Sequence, residues 1–149
     1  MELNERVRAF TSNTLAAMGL TLDVAVKDAP DGIRVEISGE GGETLLRRRA
    51  EALDALQVIV NTAFRRELKD DRSFTVDCLD YRKGKDEELR QMTRFTMEKV
   101  KTNRTPQEMG PHNPYARRIV HLTVAEDPAL ASESIGDAFL KTVIISMKG

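Results

Sequence analysis

The apolar spacing of this chain switches repeatedly between two periods, and that alternation limits the folds open to it. Residues 4–18 set Val7, Phe10, Thr14, Leu15 and Met18 at helical intervals, and Gly19 follows as a stop. Leu20, Leu22, Val24 and Val26 then alternate with polar or small residues. Ile33, Val35 and Ile37 resume the alternation beyond a turn at Asp28-Ala29-Pro30-Asp31-Gly32. A period of two puts every second side chain on one face, so 20–27 and 33–38 read as an antiparallel hairpin. A flexible connection, Gly39-Glu40-Gly41-Gly42, leads through Leu45 and Leu46 to the strongest amphipathic pattern in the chain. Leu53, Leu56, Ile59, Val60, Ala63 and Phe64 predict a helix over about 50–67, which Lys69-Asp70-Asp71-Arg72 ends. Phe74, Val76 and Cys78 predict a third strand over 73–80. Such an order gives a compact α+β domain with its helices on one sheet face.

The alternation continues. Leu89, Met92, Thr96 and Val100 mark one face of a helix over about 83–103, and the dense charge from Arg82 to Arg90 reads as its solvated side. Thr105-Pro106 breaks that helix, and 106–110 suits a short strand. Asn113 followed by Pro114 is a helix start: Asn caps free amides, and Pro at the first helical position loses no hydrogen bond. The resulting helix, 114–124, is expected to bury Ile119 and Leu122, with Val120 a further contact. Residues 130–135 and 139–147 then read as a hairpin around Gly136-Asp137, with Val143, Ile144, Ile145 and Met147 in a buried strand. The first unit is complete near Tyr81, which gives domains 1–81 and 82–149.

Composition narrows the function. No run of about 18 apolar residues occurs, so no transmembrane helix is expected. The start Met1-Glu2-Leu3-Asn4-Glu5 is acidic and has no apolar signal core, so the expected compartment is the cytoplasm. The single cysteine, Cys78, excludes an internal disulfide and reads as a core residue of its strand. With 2 histidines and 1 cysteine, and no metal-ligand spacing, phosphate-binding loop, dinucleotide fingerprint or nucleophile elbow, the chain reads as a non-enzyme without a cofactor. The net charge of −1 does not advertise nucleic acid. The halves differ, however: residues 1–81 carry 11 Lys and Arg against 15 Asp and Glu, and residues 82–149 carry 12 against 9. The second half thus favours an anionic partner.

Asn113, Arg117 and His121 recur every four residues and lie close to one face of helix 114–124. Arg presents a fixed fork of donors to an oxyanion, and His a ring with a switchable donor. Periodicity by itself also fits a short amphipathic helix with a polar side.

The run Asn113-Pro114-Tyr115, Arg117, Arg118, Ile119, His121, with Asp127-Pro128, Ser132-Glu133-Ser134-Ile135-Gly136 and Val143-Ile144-Ile145 downstream, resembles an R-3-H domain, named for Arg, three residues, then His. Residues Glu51-Ala52-Leu53-Asp54-Ala55-Leu56-Gln57-Val58-Ile59-Val60-Asn61 resemble the type II KH domain that precedes this module in the Jag family of bacterial RNA-binding proteins. The resemblance covers about 20–149. Jag proteins often carry a further N-terminal domain, and ahead of residue 20 there is room only for the first KH helix.

The resemblance implies a type II KH-like α/β domain followed by a small α/β R-3-H domain. It implies single-stranded RNA as the partner, with single-stranded DNA as the alternative. Arg117 would pair with a phosphate through two hydrogen bonds. His121 would add a hydrogen bond or stack on a base, and would bind better when protonated. Arg118 and Lys141 are lesser candidates. Asn113 is expected as a cap rather than a contact, Tyr115 as packing rather than a base contact, and Ser132 and Ser134 as ligands of backbone or phosphate.

One departure matters. KH domains hold a nucleic-acid backbone with a Gly-x-x-Gly loop, whose glycines let phosphates approach the amides. Here the four positions are Arg47-Arg48-Arg49-Ala50, so the amide cradle is degenerate. The three arginines stand at the start of helix 50–67, where its dipole favours an anion. They are either a side-chain phosphate clamp or a solvated basic loop. Two functions follow: a single-stranded RNA-binding module with a post-transcriptional or cell-envelope role, or a protein-interaction module that kept the shape and lost KH-type binding. Jag-like proteins are linked with a small KH-domain partner and with envelope growth, which supports the second.

Overall fold

A computed structural model describes residues 2–30 and 32–149. It is a mixed α+β structure, with four α-helices and two three-stranded sheets among the described residues. The elements run α1 (Leu3–Ala17), β1 (Asp23–Ala29), β2 (Gly32–Ser38), a 3-10 turn (Gly42–Leu46), α2 (Arg47–Phe64), β3 (Ser73–Cys78) and α3 (Tyr81–Asn103). They continue with β4 (Gln107–His112), α4 (Pro114–Val124), β5 (Leu130–Ile135) and β6 (Lys141–Met147). The chain divides into two compact units, Met1–Lys83 and Gly84–Gly149.

In the first unit β1 and β2 form the antiparallel hairpin, in register from Asp23 opposite Ser38 to Ala29 opposite Gly32. The strand pair is shifted toward the turn relative to the alternation, because Leu20 and Leu22 precede β1 and pack against the core instead. Asp28 and Ala29 are strand residues rather than turn residues, and Asp31 of that turn lies outside the described residues. β3 pairs with β2 in parallel, Val76 opposite Val35. A parallel partner needs a crossover, and α2 supplies it. The core joins Val7 and Leu15 of α1, Val35 and Ile37 of β2, Leu53, Leu56 and Val60 of α2, and Phe74, Val76 and Cys78 of β3. Cys78 is fully buried there, as its strand position predicts. Ile59 is not part of this core: it is 45% exposed, because the buried positions of α2 run 53, 56 and 60, and its neighbour Val58 faces solvent with it. Predicted helix 50–67 ends as α2 at Phe64, and a 3-10 turn carries Arg65–Glu67.

In the second unit β6 lies between β4 and β5, antiparallel to both. Its core joins Met97 and Val100 of α3, Val120 and Val124 of α4, Leu130 of β5, Met109 of β4, and Val143 and Ile145 of β6. Val120 is fully buried and Ile119 nearly so, whereas Leu122 is 60% exposed, a correction to the predicted face. The apolar stripe of α4 turns with Thr123 and Val124 and leaves position 122 outside. No described helix is long and apolar enough to cross a membrane.

Candidate nucleic-acid interface

Helix α4 begins as its sequence predicts. Asn113 is extended (φ −72°, ψ 168°), and its side-chain oxygen accepts the amide of Ala116 at 2.8 Å. Asn113 is therefore a cap. One turn further on stands Arg117, and one more brings His121 over strand β5.

The strand register decides what His121 meets. Ser132 lies opposite Ile145 and Ser134 opposite Val143. Val143 and Ile145 are buried, so both serines share the core face of the sheet, the face that α4 covers. His121 Nδ1 is 2.7 Å from Ser132 Oγ, and Nε2 is 2.8 Å from Ser134 Oγ. A neutral imidazole has one donor and one acceptor nitrogen, and a hydroxyl can play either part, so the pair matches whichever tautomer forms. Burial, and then the positive charge of Arg117, push the His121 pKa below the ordinary imidazole value. The shift favours the neutral ring, and both its nitrogens are engaged inside the fold. The geometry runs against the expectation that His121 offers a hydrogen bond to a ligand and gains from protonation. Ser132 and Ser134, for which backbone or phosphate is the sequence expectation, both meet the ring.

Arg117 is half-buried. Its Nε donates to the carbonyl of His112 at 3.3 Å and its Nη2 to the carbonyl of Phe139 at 3.4 Å. The guanidinium thus stands between the end of β4 and the loop that joins β5 to β6. Lys141 belongs to the same place, since it lies opposite His112 across the β4–β6 pair. Its position has the same parity as Val143 and Ile145, so its side chain leaves the sheet on the α4 side. Gly110 allows this approach. Its φ is 126°, and a Cβ there would meet the amide of His112 at 3.1 Å and the carbonyl of Lys141 at 3.2 Å. With glycine at that position, β4 closes on β6 past the irregular register between Met109 and His112.

Arg118 is exposed and lies about 100° around the helix from Arg117. Arg90, Arg94 and Lys101 of the same unit are each held by a carboxylate. Among the described residues Arg117, Arg118 and Lys141 have no such partner. Tyr115 is 56% exposed rather than packed, and its hydroxyl donates to Asp86 at 2.7 Å.

The remaining sequence candidates, Arg47, Arg48 and Arg49, belong to the other unit, and all three side chains are exposed. Arg47 is extended, and then Arg48, Arg49 and Ala50 have φ of 54°, 58° and 63°. Three successive non-glycine residues therefore hold left-handed backbone, which a Cβ disfavours by about 1–2 kcal/mol each. Buried Ala50 ties this turn to the core. The right-handed part of α2 follows the turn, so the arginines lead into the helix rather than forming its first turn.

Two features of the site have no local signal that would identify them. The serine pair is visible as an i, i+2 spacing on a strand, but its partner His121 depends on how α4 crosses that strand. Phe139, whose carbonyl takes Arg117, carries no periodic signal.

Residues 87–146 match the family described as the R-3-H domain. Across 98% of its length the chain is 27% identical to the RNA-binding protein KhpB of Clostridium symbiosum, and it covers 67% of that protein. Across 97% of its length it is 23% identical to the RNA-binding protein KhpB of Bacillus subtilis, covering 70% of it. The second unit is thus similar to the R-3-H domain, and the chain as a whole is similar to bacterial KhpB proteins.

Proposed function

We propose that this chain binds single-stranded RNA through its second unit, as a non-catalytic protein, with Arg117 as the phosphate-contacting residue. The observation that carries this reading is the placement of the Arg117 guanidinium on the carbonyls of His112 and Phe139, with no carboxylate on it among the described residues. Arg118 and Lys141 likewise have no carboxylate partner there, whereas Arg90, Arg94 and Lys101 of the same unit are paired. Two backbone carbonyls fix the guanidinium, so little side-chain entropy is left to lose when a phosphate binds. Lys141 adds charge beside it, and Arg118 contacts the strand from the edge. His121 positions α4 on β5 and thereby Arg117. The names of the similar KhpB proteins support RNA over DNA.

The first unit supplies a second contact on this reading. Arg47, Arg48 and Arg49 lie between a 3-10 turn and the right-handed part of α2, the place where the KH-like resemblance puts its loop between two helices. Their side chains clamp phosphate where glycines would expose amides. In a bacterial cell such a protein acts in the cytoplasm, in post-transcriptional or cell-envelope regulation. A second reading, a protein-interaction module with a small KH-domain partner, has its own support: Val58 is 65% and Ile59 45% exposed on α2.

Affinity for a short single-stranded RNA, measured against salt, tests the reading. Affinity falls as salt rises, and Arg117→Ala flattens the logarithmic slope by about 0.7, the contribution of one single-strand phosphate. Neutralising Arg47, Arg48 and Arg49 together flattens it further. Equal binding by the wild type and an Arg117→Ala/His121→Ala double variant would sink the proposed site. A protein partner retained after nuclease treatment supports the second reading.

A further inference from the structure

Phe139 is the exposed aromatic that the fold ties directly to Arg117. Phe10, Phe64 and Phe74 meet edge to face in the first unit, at centroid distances of 5.4 and 6.4 Å. Phe139 is 71% exposed, in the segment between Gly136 and Lys141. Hydrophobicity does not account for an aromatic ring left in water there. Its residue is nevertheless held, because its carbonyl accepts Arg117 Nη2 at 3.4 Å. The other largely exposed phenylalanine, Phe95, has Lys99 Nζ over its ring at 5.0 Å. Among the described residues no cation covers the Phe139 ring.

A single-stranded nucleotide presents an apolar base face and an anionic phosphate a few ångströms away. It is met by an aromatic ring beside a cation. Phe139 supplies an exposed ring and its carbonyl holds the Arg117 guanidinium, so the two kinds of contact meet at one residue; Lys141 follows two residues along the chain, and Leu140, 52% exposed, adds apolar surface. Asp137 is the acidic residue of the same loop, and it disfavours a phosphate on that side while leaving the ring open to an uncharged base.

We propose that Phe139 is a base-stacking residue, holding one unstacked nucleobase of a single strand whose adjoining phosphate lies on Arg117. The proposal rests on the RNA-binding reading and deepens it. Every base has a stacking face, so the contact adds affinity for single strands with little sequence preference. A base paired and stacked within a duplex is not available to it.

The test compares two short single-stranded RNAs of equal length, one carrying fluorescent aminopurine and one abasic at the same positions. The wild type is expected to bind the base-bearing strand roughly ten-fold more tightly, with quenching of the fluorophore. Phe139→Ala should lower that affinity to the abasic level, abolish the quenching and leave the salt slope unchanged. Phe139→Tyr, which keeps a ring, should restore both. Arg117→Ala should instead flatten the salt slope for both strands. Wild-type affinity and quenching in Phe139→Ala would overturn the stacking role while leaving RNA binding intact. A wild type without salt-dependent affinity for either strand would overturn the RNA-binding reading and this proposal with it.

Discussion

His121 and Ser132 join helix α4 to strand β5 through a 2.7 Å contact between Nδ1 and Oγ, and Ser134 closes the other side of the ring at 2.8 Å. The histidine of the Arg-x-x-x-His pattern therefore joins helix to strand, and Arg117 stands one turn earlier on the same helix. Direct binding by His121 would require the ring to release a serine.

Acid should loosen this joint. The His121 pKa is lowered by burial and by Arg117, and burial lowers that of His112. The unfolded chain then binds more protons than the folded one below the ordinary imidazole pKa of about 6.5. Stability from these groups is complete above that value and is lost as pH falls through the window beneath it. The thermal midpoint should decline between about pH 7 and pH 5. His121→Gln should decline less over the same interval, as followed by circular dichroism.

The left-handed turn offers a stability gain. Arg48 and Arg49 are exposed at φ of 54° and 58°, so replacing either with glycine relieves backbone strain without opening the core. Set against glycine's greater freedom in the unfolded chain, the net gain is about 0.5 kcal/mol each. Urea denaturation of Arg48→Gly and Arg49→Gly measures it. A loss of stability would show that these side chains make stabilising contacts.

Asp77 and Asp54 carry opposite expectations for carboxylate removal. The Asp77 side chain is 3% exposed, pairs with Arg34 at 3.2 Å, and accepts the amides of Cys78 and Arg82 at 2.8 Å. Its loss leaves the partly buried Arg34 guanidinium without its carboxylate and uncaps the start of α3, so Asp77→Ala should cost about 2–3 kcal/mol. The Asp54 side chain is 61% exposed against Arg82, and Asp54→Ala should cost under about 1 kcal/mol. Denaturant midpoints of the two variants separate the cases.

Cys78 should be inert in the folded protein. Burial, with the charges of Asp77 and Glu43, pushes its thiol up to about 11. A thiol-specific reagent at neutral pH should react only as fast as the first unit opens, and quickly in denaturant. Rapid labelling of the native protein would show local opening around β3.

Much of the fold was legible because periodicity reports which face of an element is buried. Asn113-Pro114 fixed the start of α4, and the alternation through Ile33, Val35 and Ile37 fixed the core face of β2. The misses have physical causes. Ile59 and Leu122 are apolar, yet composition does not say where an apolar stripe ends, and packing left them outside. The Arg48–Ala50 turn is left-handed although no glycine announces it, because buried Ala50 and the 3-10 turn before it constrain the chain more strongly than local preference does. The sequence by itself determined the order of helices and strands, the cap at Asn113 and the one-face spacing of Arg117 and His121. The tertiary structure alone decided that Ser132 and Ser134 occupy His121 and that Phe139 stands beside Arg117. Those contacts join residues 11 to 22 positions apart and depend on how α4 crosses the sheet, which no local pattern encodes.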